Sequence, residues 1–306
     1  MVTVLCIVDR PGWALDRKTQ GIASALAGTY TIVTRYHSDV TEADLDAADL
    51  VLVYYWLQIK HLPRLKRVFQ RVRERLLLGA CGERELEGAW RAPGLGMLST
   101  LPRAVFASNL KQVRDLEAAL GREVFYTPNG VDTSFFHPGG LKPAAPLRVG
   151  WAGSVKNHTP AHRGIHNFIA PAVATVRGAE LCLAAREERW RNAEEMREFY
   201  RSLHVYVCAS RSEGTPNPCL EAAACGVPVV TTPVGAMPEF IRDGENGLFV
   251  TRNIDDIAAK LRLLRDDPEL RERMGHAARA AAEARDWRHV APRYAEMFEA
   301  SRKSCA

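Results

Sequence analysis

Two glutamates eight residues apart, Glu213 and Glu221, flank a run of loop-forming residues in ASRSEGTPNPCLEAAACGVPVV, residues 209–230. Val205–Cys208 reads as a buried strand that feeds the loop Glu213–Asn217. Pro218 fits the first position of a short helix, Pro218–Cys225, where its missing N–H costs nothing. Gly226 then supplies the left-handed residue that ends such a helix, and Val227–Thr231 reads as the next strand. A Gly/Pro loop that delivers a helix N-terminus at the carboxyl end of a strand presents free backbone N–H groups, a ready seat for phosphate oxygens. Carboxylates beside a phosphate repel it unless they are aimed at neutral hydroxyls. Their natural use here is to accept paired hydrogen bonds from the vicinal hydroxyls of a sugar or ribose. The plainer alternative makes Glu221 a solvated helix residue and Glu213 a loop charge. The Gly-Thr-Pro loop, Pro218 and the Gly-Val-Pro-Val-Val exit, all in one register, favour the first use.

The elements that must position these groups are βα units. Strands are expected near Val2–Val8, Tyr30–Thr34, Leu50–Tyr55, Leu76–Cys81, Ala104–Ala107 and Val124–Tyr126 in the first half of the chain. In the second half they fall near Leu147–Ala152, Glu180–Ala184, Val205–Cys208, Val227–Thr231 and Gly247–Val250. Amphipathic stretches alternate with them, which is the mark of parallel α/β structure. HPGGLKPAAP, residues 137–146, carries three prolines and two glycines and is the best linker in the chain. The expected architecture is therefore two doubly wound Rossmann-like domains facing a cleft, with ligands at the carboxyl ends of their strands. The expected division is 1–140, 146–285 and a final helix at 286–306. Helices are expected at Asp256–Arg265, Pro268–Ala284 and Trp287–Ala300, the last two opened by Asp267-Pro268 and Asp286-Trp287.

Composition agrees with an ordinary globular chain of two domains: 306 residues, 47% hydrophobic and 25% charged. No apolar run approaches the roughly 20 residues needed to span a bilayer. The first residues read as a strand rather than a signal peptide, so a soluble, cytoplasmic protein is expected. Seven scattered cysteines form no C-x-x-C pair, which argues for buried thiols in a reducing compartment rather than for a disulfide framework or a zinc site. The net charge of +5 favours anionic partners without demonstrating one.

EGTPNPCLEAAACGVPVV, YTPNGVDTSFFHP, LRVGWAGS and DWRHVAPRYAEMF together resemble glycosyltransferase family four, a large retaining family with the two-domain B-type fold. The resemblance runs from about Tyr126 to the C-terminus, with Glu213 and Glu221 as the family's E-x7-E pair and the last helix crossing back to the first domain. It implies that Glu221 binds the ribose of a nucleotide-diphosphate sugar, with uridine or guanosine as the base. It further implies that Glu213 faces the transferred sugar. Gly214, Thr215 and Pro216 would form the donor loop, and Asn217, Pro218, Cys219 and Leu220 would present the helix start to sugar and diphosphate oxygens. A basic pair on the diphosphate is implied as well. Here the glycine turn is Gly153-Ser154, Lys156 follows it, and Arg163-Gly164 stands where the family has Lys-Gly. Arg provides a permanent charge and a bidentate fork for phosphate. These cations replace a metal ion, so no metal is expected, and the sugar is expected to keep its anomeric configuration.

The first half departs from the family. Its glycine-rich turn is reduced to Gly12 in DRPGWALD, a residue that could still approach the sugar or diphosphate, with Trp13 beside it. The His usually found near the transferred sugar is absent from LLLGACGE, residues 76–83. These losses motivate an alternative, a non-catalytic sugar-nucleotide-binding subunit, and the fold also admits a sugar-nucleotide epimerase. Asp44-Leu45-Asp46 has the form of a metal-binding pair but precedes a strand instead of following one. HLPRLKRVFQRVRERLLLG, residues 61–79, lines Leu62, Leu65, Phe69, Val72 and Leu76 along one face and six basic residues around the rest. Such a helix suits an anionic membrane surface or the phosphates of DNA, or else is the solvated face of a packed helix. The acceptor is accordingly left open among glycans, lipid-linked sugars, small molecules and modified DNA bases.

Overall fold

A computed structural model describes residues 1–140, 145–155 and 160–302. Two compact units divide it: Met1–Gly130 with the residues from Trp287 onward, and Val131–Asp286.

The first unit is a six-stranded parallel sheet of β1 (Val2–Val8), β2 (Tyr30–Tyr36), β3 (Leu50–Val53), β4 (Leu76–Ala80), β5 (Ala104–Ala107) and β6 (Val124–Tyr126), in the order β2-β1-β3-β4-β5-β6. Its helices are α1 (Ala14–Ala25), α2 (Glu42–Ala47), α3 (Leu57–Lys60), α4 (Lys66–Arg71), α5 (Arg91–Thr100) and α6 (Leu110–Leu120). Strand β1 shows why the sheet is covered on both sides. Val4, Cys6 and Val8 pack with Ile22, Tyr294 and Phe298 on one face, whereas Leu5 and Ile7 pack with Leu45, Phe69 and Leu116 on the other. A strand buried on both faces reads as the unbroken apolar run seen in the sequence.

The second unit is a five-stranded parallel sheet of β7 (Leu147–Gly153), β8 (Ala179–Ala185), β9 (Val205–Cys208), β10 (Val229–Thr231) and β11 (Gly247–Phe249), in the order β11-β10-β9-β7-β8. Its helices are α7 (Pro160–Arg163), α8 (Ala170–Ala174), α9 (Ala193–Arg201), α10 (Asn217–Ala224), α11 (Met237–Phe240), α12 (Ile254–Asp266) and α13 (Pro268–Glu283). The last helix, α14 (Trp287–Arg302), returns to the first unit, where Tyr294 donates to the carbonyls of Thr127 and Pro128.

Every expected strand is present to within two residues at each end. The largest differences have local causes. β10 starts at Val229 because Pro228 has no N–H for the ladder. Asp267 caps α13 by accepting from the Leu270 amide at 2.8 Å, as its position before Pro268 suggests. By packing, the second unit begins at Val131, earlier than the Pro/Gly stretch. The Val131 amide bonds the Arg285 carbonyl, and the Asp286 carboxylate takes the Thr133 amide and hydroxyl.

Two expectations change. The basic stretch is not one helix: α4 is flanked by short 3-10 turns at Pro63–Leu65 and Arg73–Arg75, although its apolar side, Leu62, Leu65, Phe69, Val72 and Leu76, is buried as expected. Three of its six cations are engaged by neighbouring elements of the unit. Arg64 bonds the carbonyls of His37 and Val40, Arg71 pairs with Asp46 and Glu42, and Arg75 reaches Ala48 and Asp46. Asp44 and Asp46 are likewise absorbed. Asp44 closes a capping box with Thr41 and pairs with Arg35 at 2.9 Å, and the Thr41 hydroxyl, ahead of Arg35, holds its carboxyl below the usual carboxylate range. No helix among the described residues is long and apolar enough to cross a membrane.

Candidate functional site

In the second unit the chain leaves β7 toward one face of the sheet and β9 toward the other. The helices after β7 share a core with Val149 and Val207, while α10, after β9, shares one with Tyr206 and Cys208. Divergence of this kind opens a crevice at the carboxyl ends of the two strands, where open α/β sheets bind ligands.

Three segments meet there. The first is the turn after β7, Gly153 and Ser154. The Ser154 hydroxyl donates to Glu187, on the loop after β8, whose other oxygen accepts the Val155 amide at 2.9 Å. The second is the turn that carries Arg163. His162 Nε2 meets the Ser212 carbonyl at 3.0 Å, and the His162 carbonyl takes the Arg211 amide. Gly164, at φ +73°, lies so close to the Ala209 carbonyl that a Cβ would come within 2.7 Å of it. Glycine meets both demands, the left-handed backbone and the close approach. The third is the loop Ala209–Pro216 with the start of α10.

This packing joins residues fifty positions apart: Arg163 Nη1 sits 3.1 Å from Glu213 Oε1, both side chains mostly buried. Ser210 donates to the same oxygen at 2.8 Å. Arg163 Nε is buried without a partner, as is the Thr215 hydroxyl. Buried polar groups in folded proteins are nearly always hydrogen-bonded, so such atoms at a strand-end crevice suit a ligand. The loop is shaped from below by Gly235, where a Cβ would fall on the Gly214 carbonyl, and by the Ala236 amide, which donates to that carbonyl at 2.9 Å.

Glu221 stands in the second turn of α10. It is 7% exposed and accepts the Tyr200 hydroxyl of α9 at 2.7 Å. Beneath the loop, a hydrogen bond from the Cys219 thiol brings the Cys208 thiol down to about 7, and burial pushes Cys219 well up. The six described cysteines are thiols, five of them buried.

The expected site residues therefore sort as follows. Gly153, Ser154, Arg163, Glu213, Gly214, Thr215, Pro216 and Asn217 gather at the ends of β7 and β9, with Glu221 one turn below. Lys156 lies outside the described residues. The helix starts at Asn217, which makes Pro218 its second residue, and this corrects the expected supply of backbone donors. The Asn217 amide bonds the Thr215 carbonyl, the Cys219 amide bonds the Pro216 carbonyl, and Pro218 has none. The side chains of Cys219 and Leu220 are buried in the core. Gly12 belongs to the first unit. It adopts φ +72° in a turn fixed by Asp16, which accepts its amide at 2.7 Å and the Tyr36 hydroxyl at 3.2 Å. Sequence reasoning missed Ser210, Glu187 and Tyr200. Glu187 and Tyr200 act through partners from another βα unit, and only Ser210, which donates to Glu213 three residues on, lay within the motif.

Comparison with known proteins bears on the same region. Residues 189–281 match the family model of glycosyl transferases group 1. The chain is 40% identical over 111 residues to a D-inositol 3-phosphate glycosyltransferase of Arthrobacter sp. (strain FB24), covering 36% of this chain and 26% of that protein. It is 38% identical over 99 residues to a sulfoquinovosyl transferase of Arabidopsis thaliana, covering 31% and 19%. The chain thus spans about a quarter or less of the length of these relatives. Among solved structures, sucrose-phosphate synthase from Thermosynechococcus elongatus superposes with a TM-score of 0.79 at 15% identity, covering 99% of this chain and 100% of that one. Anabaena HepE in complex with UDP and glucose superposes with a TM-score of 0.77 at 13% identity, covering 98% and 100%. The fold, two parallel-sheet α/β units, is that of the B-type glycosyltransferases.

Proposed function

We propose that the chain transfers a sugar from a nucleotide-diphosphate sugar to an acceptor hydroxyl, with retention of configuration and without a metal ion. The observation that carries this reading is the Arg163–Glu213 pair at the β7–β9 crevice, with the unpartnered Arg163 Nε and Thr215 hydroxyl beside it. Relatives named glycosyltransferases and a neighbour solved with UDP support it.

Breaking the anomeric C–O bond develops positive charge on the sugar and extra negative charge on the leaving diphosphate. Arg163 is a fixed cation in a partly dry site, and a preorganised donor of this kind is worth about 3–4 kcal/mol of barrier. Glu213, oriented by Arg163 and Ser210, would hold hydroxyls of the transferred sugar. Glu221, with one oxygen taken by Tyr200, would accept from the ribose. The acceptor hydroxyl attacks from the face the diphosphate leaves and gives its proton to a phosphate oxygen, which accounts for retention. The acceptor class is a glycan, a lipid-linked sugar, a small molecule or a modified DNA base. The buried thiols and the donor class fit a cytoplasmic reaction.

The test is release of nucleoside diphosphate from UDP- and GDP-sugars, with and without acceptors. Glu213→Gln is expected to cut turnover about a hundredfold while donor affinity stays within a few fold, and chelation of metals with EDTA is expected to leave turnover unchanged. Wild-type turnover in Glu213→Gln would remove that residue from the site. Donor binding without turnover on any acceptor would favour a binding subunit instead.

A further inference from the structure

The second unit divides again between β10 and β11. Met237 and Phe240 of α11 pack with Tyr206 and Cys208 on one face of the sheet, whereas Ile257 and Leu261 of α12 pack with Val149 and Val207 on the other. The chain thus leaves these two strands in opposite directions, and such a switch point opens a crevice at the carboxyl ends of an open α/β sheet. A cavity of about 390 Å³ lies there, within the size range of small-molecule sites. Pro233, Val234, Phe249 and Val250 form its apolar wall. It shares Ser210 with the loop that carries Glu213, but neither Glu213 nor Arg163 lines it.

The hydroxyls in this lining are committed. Ser210 donates to Glu213, Thr232 to the Ser210 carbonyl at 2.7 Å, and Thr251 to Asp256 at 2.7 Å. Asp256 also accepts the Thr251 amide and faces Lys260 one turn along α12, so its charge is already met. Two cations remain. Arg252 lies over the Phe168 ring, 4.9 Å from its centroid, and donates to the carbonyls of Ala209 and His162. Arg211 is exposed, and its guanidinium has no hydrogen bond or acidic partner among the described residues. Burial, and after it the charge of Arg211, holds the Arg252 guanidinium below its ordinary range. Two like charges beside each other, with the one lining acid already engaged, are relieved by an anion. We propose that the β10–β11 cavity binds a phosphate monoester with a compact apolar body, its phosphate held by Arg211 and Arg252 and its body against Pro233, Val234, Phe249 and Val250. Two guanidiniums match the charge and the three outer oxygens of such a group, whereas a carboxylate would leave one cation unmatched.

Isothermal titration of the intact chain with phenyl phosphate and with inorganic phosphate tests this. Phenyl phosphate is expected to bind the wild type in the millimolar range or tighter, and about tenfold or more ahead of inorganic phosphate, because its ring is buried on the apolar wall. Arg211→Ala is expected to weaken phenyl phosphate about tenfold. The thermal midpoint of that variant should not move, since Arg211 is exposed. Arg163→Ala is expected to keep phenyl phosphate within about twofold of the wild type, because Arg163 lies outside the cavity. Absence of phenyl phosphate binding, or binding by Arg211→Ala equal to the wild type, overturns the site. Binding lost in Arg163→Ala and kept in Arg211→Ala puts the ligand in the β7–β9 crevice and overturns it as well. Inorganic phosphate bound as tightly as phenyl phosphate overturns the role of the apolar wall. These outcomes are independent of the donor reading, which titration with UDP tests by itself.

Discussion

The β5–α6 and β9–α10 connections have the same parts, a fully buried strand of four residues, a loop, and a helix that ends at a left-handed glycine, Gly121 or Gly226. They differ in what fills the loop. In the first unit two residues suffice, and Asn109 caps α6 by accepting the Gln112 amide at 2.8 Å. In the second unit eight residues, 209–216, precede α10 and no side chain caps it, while a buried hydroxyl without a partner occurs in both loops, Ser108 in the first and Thr215 in the second. A helix start closed by its own side chain adds stability. One that is left open, on a longer loop, has room for Glu213 and for Arg163 from another turn. The same fold element is thus structural in one unit and suited to a ligand in the other, and loop length and capping make the difference.

The contrast can be broken by mutation. The largest effect is expected from Arg163→Ala, which removes the cation at the crevice and strands Glu213: turnover should fall by about 10²–10³, read as kcat at saturating donor. Glu221→Gln should weaken donor binding about tenfold, and Tyr200→Phe somewhat less. Direct titration checks both, and unchanged donor affinity in Glu221→Gln would take that residue away from the ribose. On the capped side, Asn109→Ala should cost about 1 kcal/mol in denaturant unfolding with donor affinity untouched. A loss of donor binding there would erase the distinction between the two connections.

A smaller, pH-dependent effect sharpens the picture of the first unit. Burial pushes the Glu85 carboxyl up to about 8 against the pull of the Cys81 and Gly82 amides, and its Oε2 has no partner. The folded state therefore holds the proton more tightly than the unfolded chain. The stability this gives is complete below the ordinary glutamate range and is lost as pH rises through about 8. Glu85→Gln should flatten that slope and raise the thermal midpoint by a few degrees at pH 8.5 relative to the wild type. An unchanged slope would show that Glu85 ionises freely in the fold.

Much of this architecture is readable without coordinates. Runs such as VTVLCIV and LVLV are long enough, apolar enough and β-branched enough to be buried parallel strands, and Asp267-Pro268 and Gly226 mark helix ends through local backbone chemistry. The spacing of Glu213 and Glu221 across a Gly/Pro loop is equally local. What sequence spacing does not carry is the pairing between βα units. The register of β7, β8 and β9 decides that Arg163 meets Glu213, that Glu187 clamps Ser154, and that Tyr200 occupies Glu221. Arg64, Arg71 and Arg75 look like part of a free basic face because their partners, Asp46 and the carbonyls of His37, Val40 and Ala48, come from neighbouring elements of the unit. Periodicity and capping depend on residues a few positions apart, so the sequence alone determined the elements and the loop. Charge pairing depends on which strands lie side by side, and only the tertiary structure decided that.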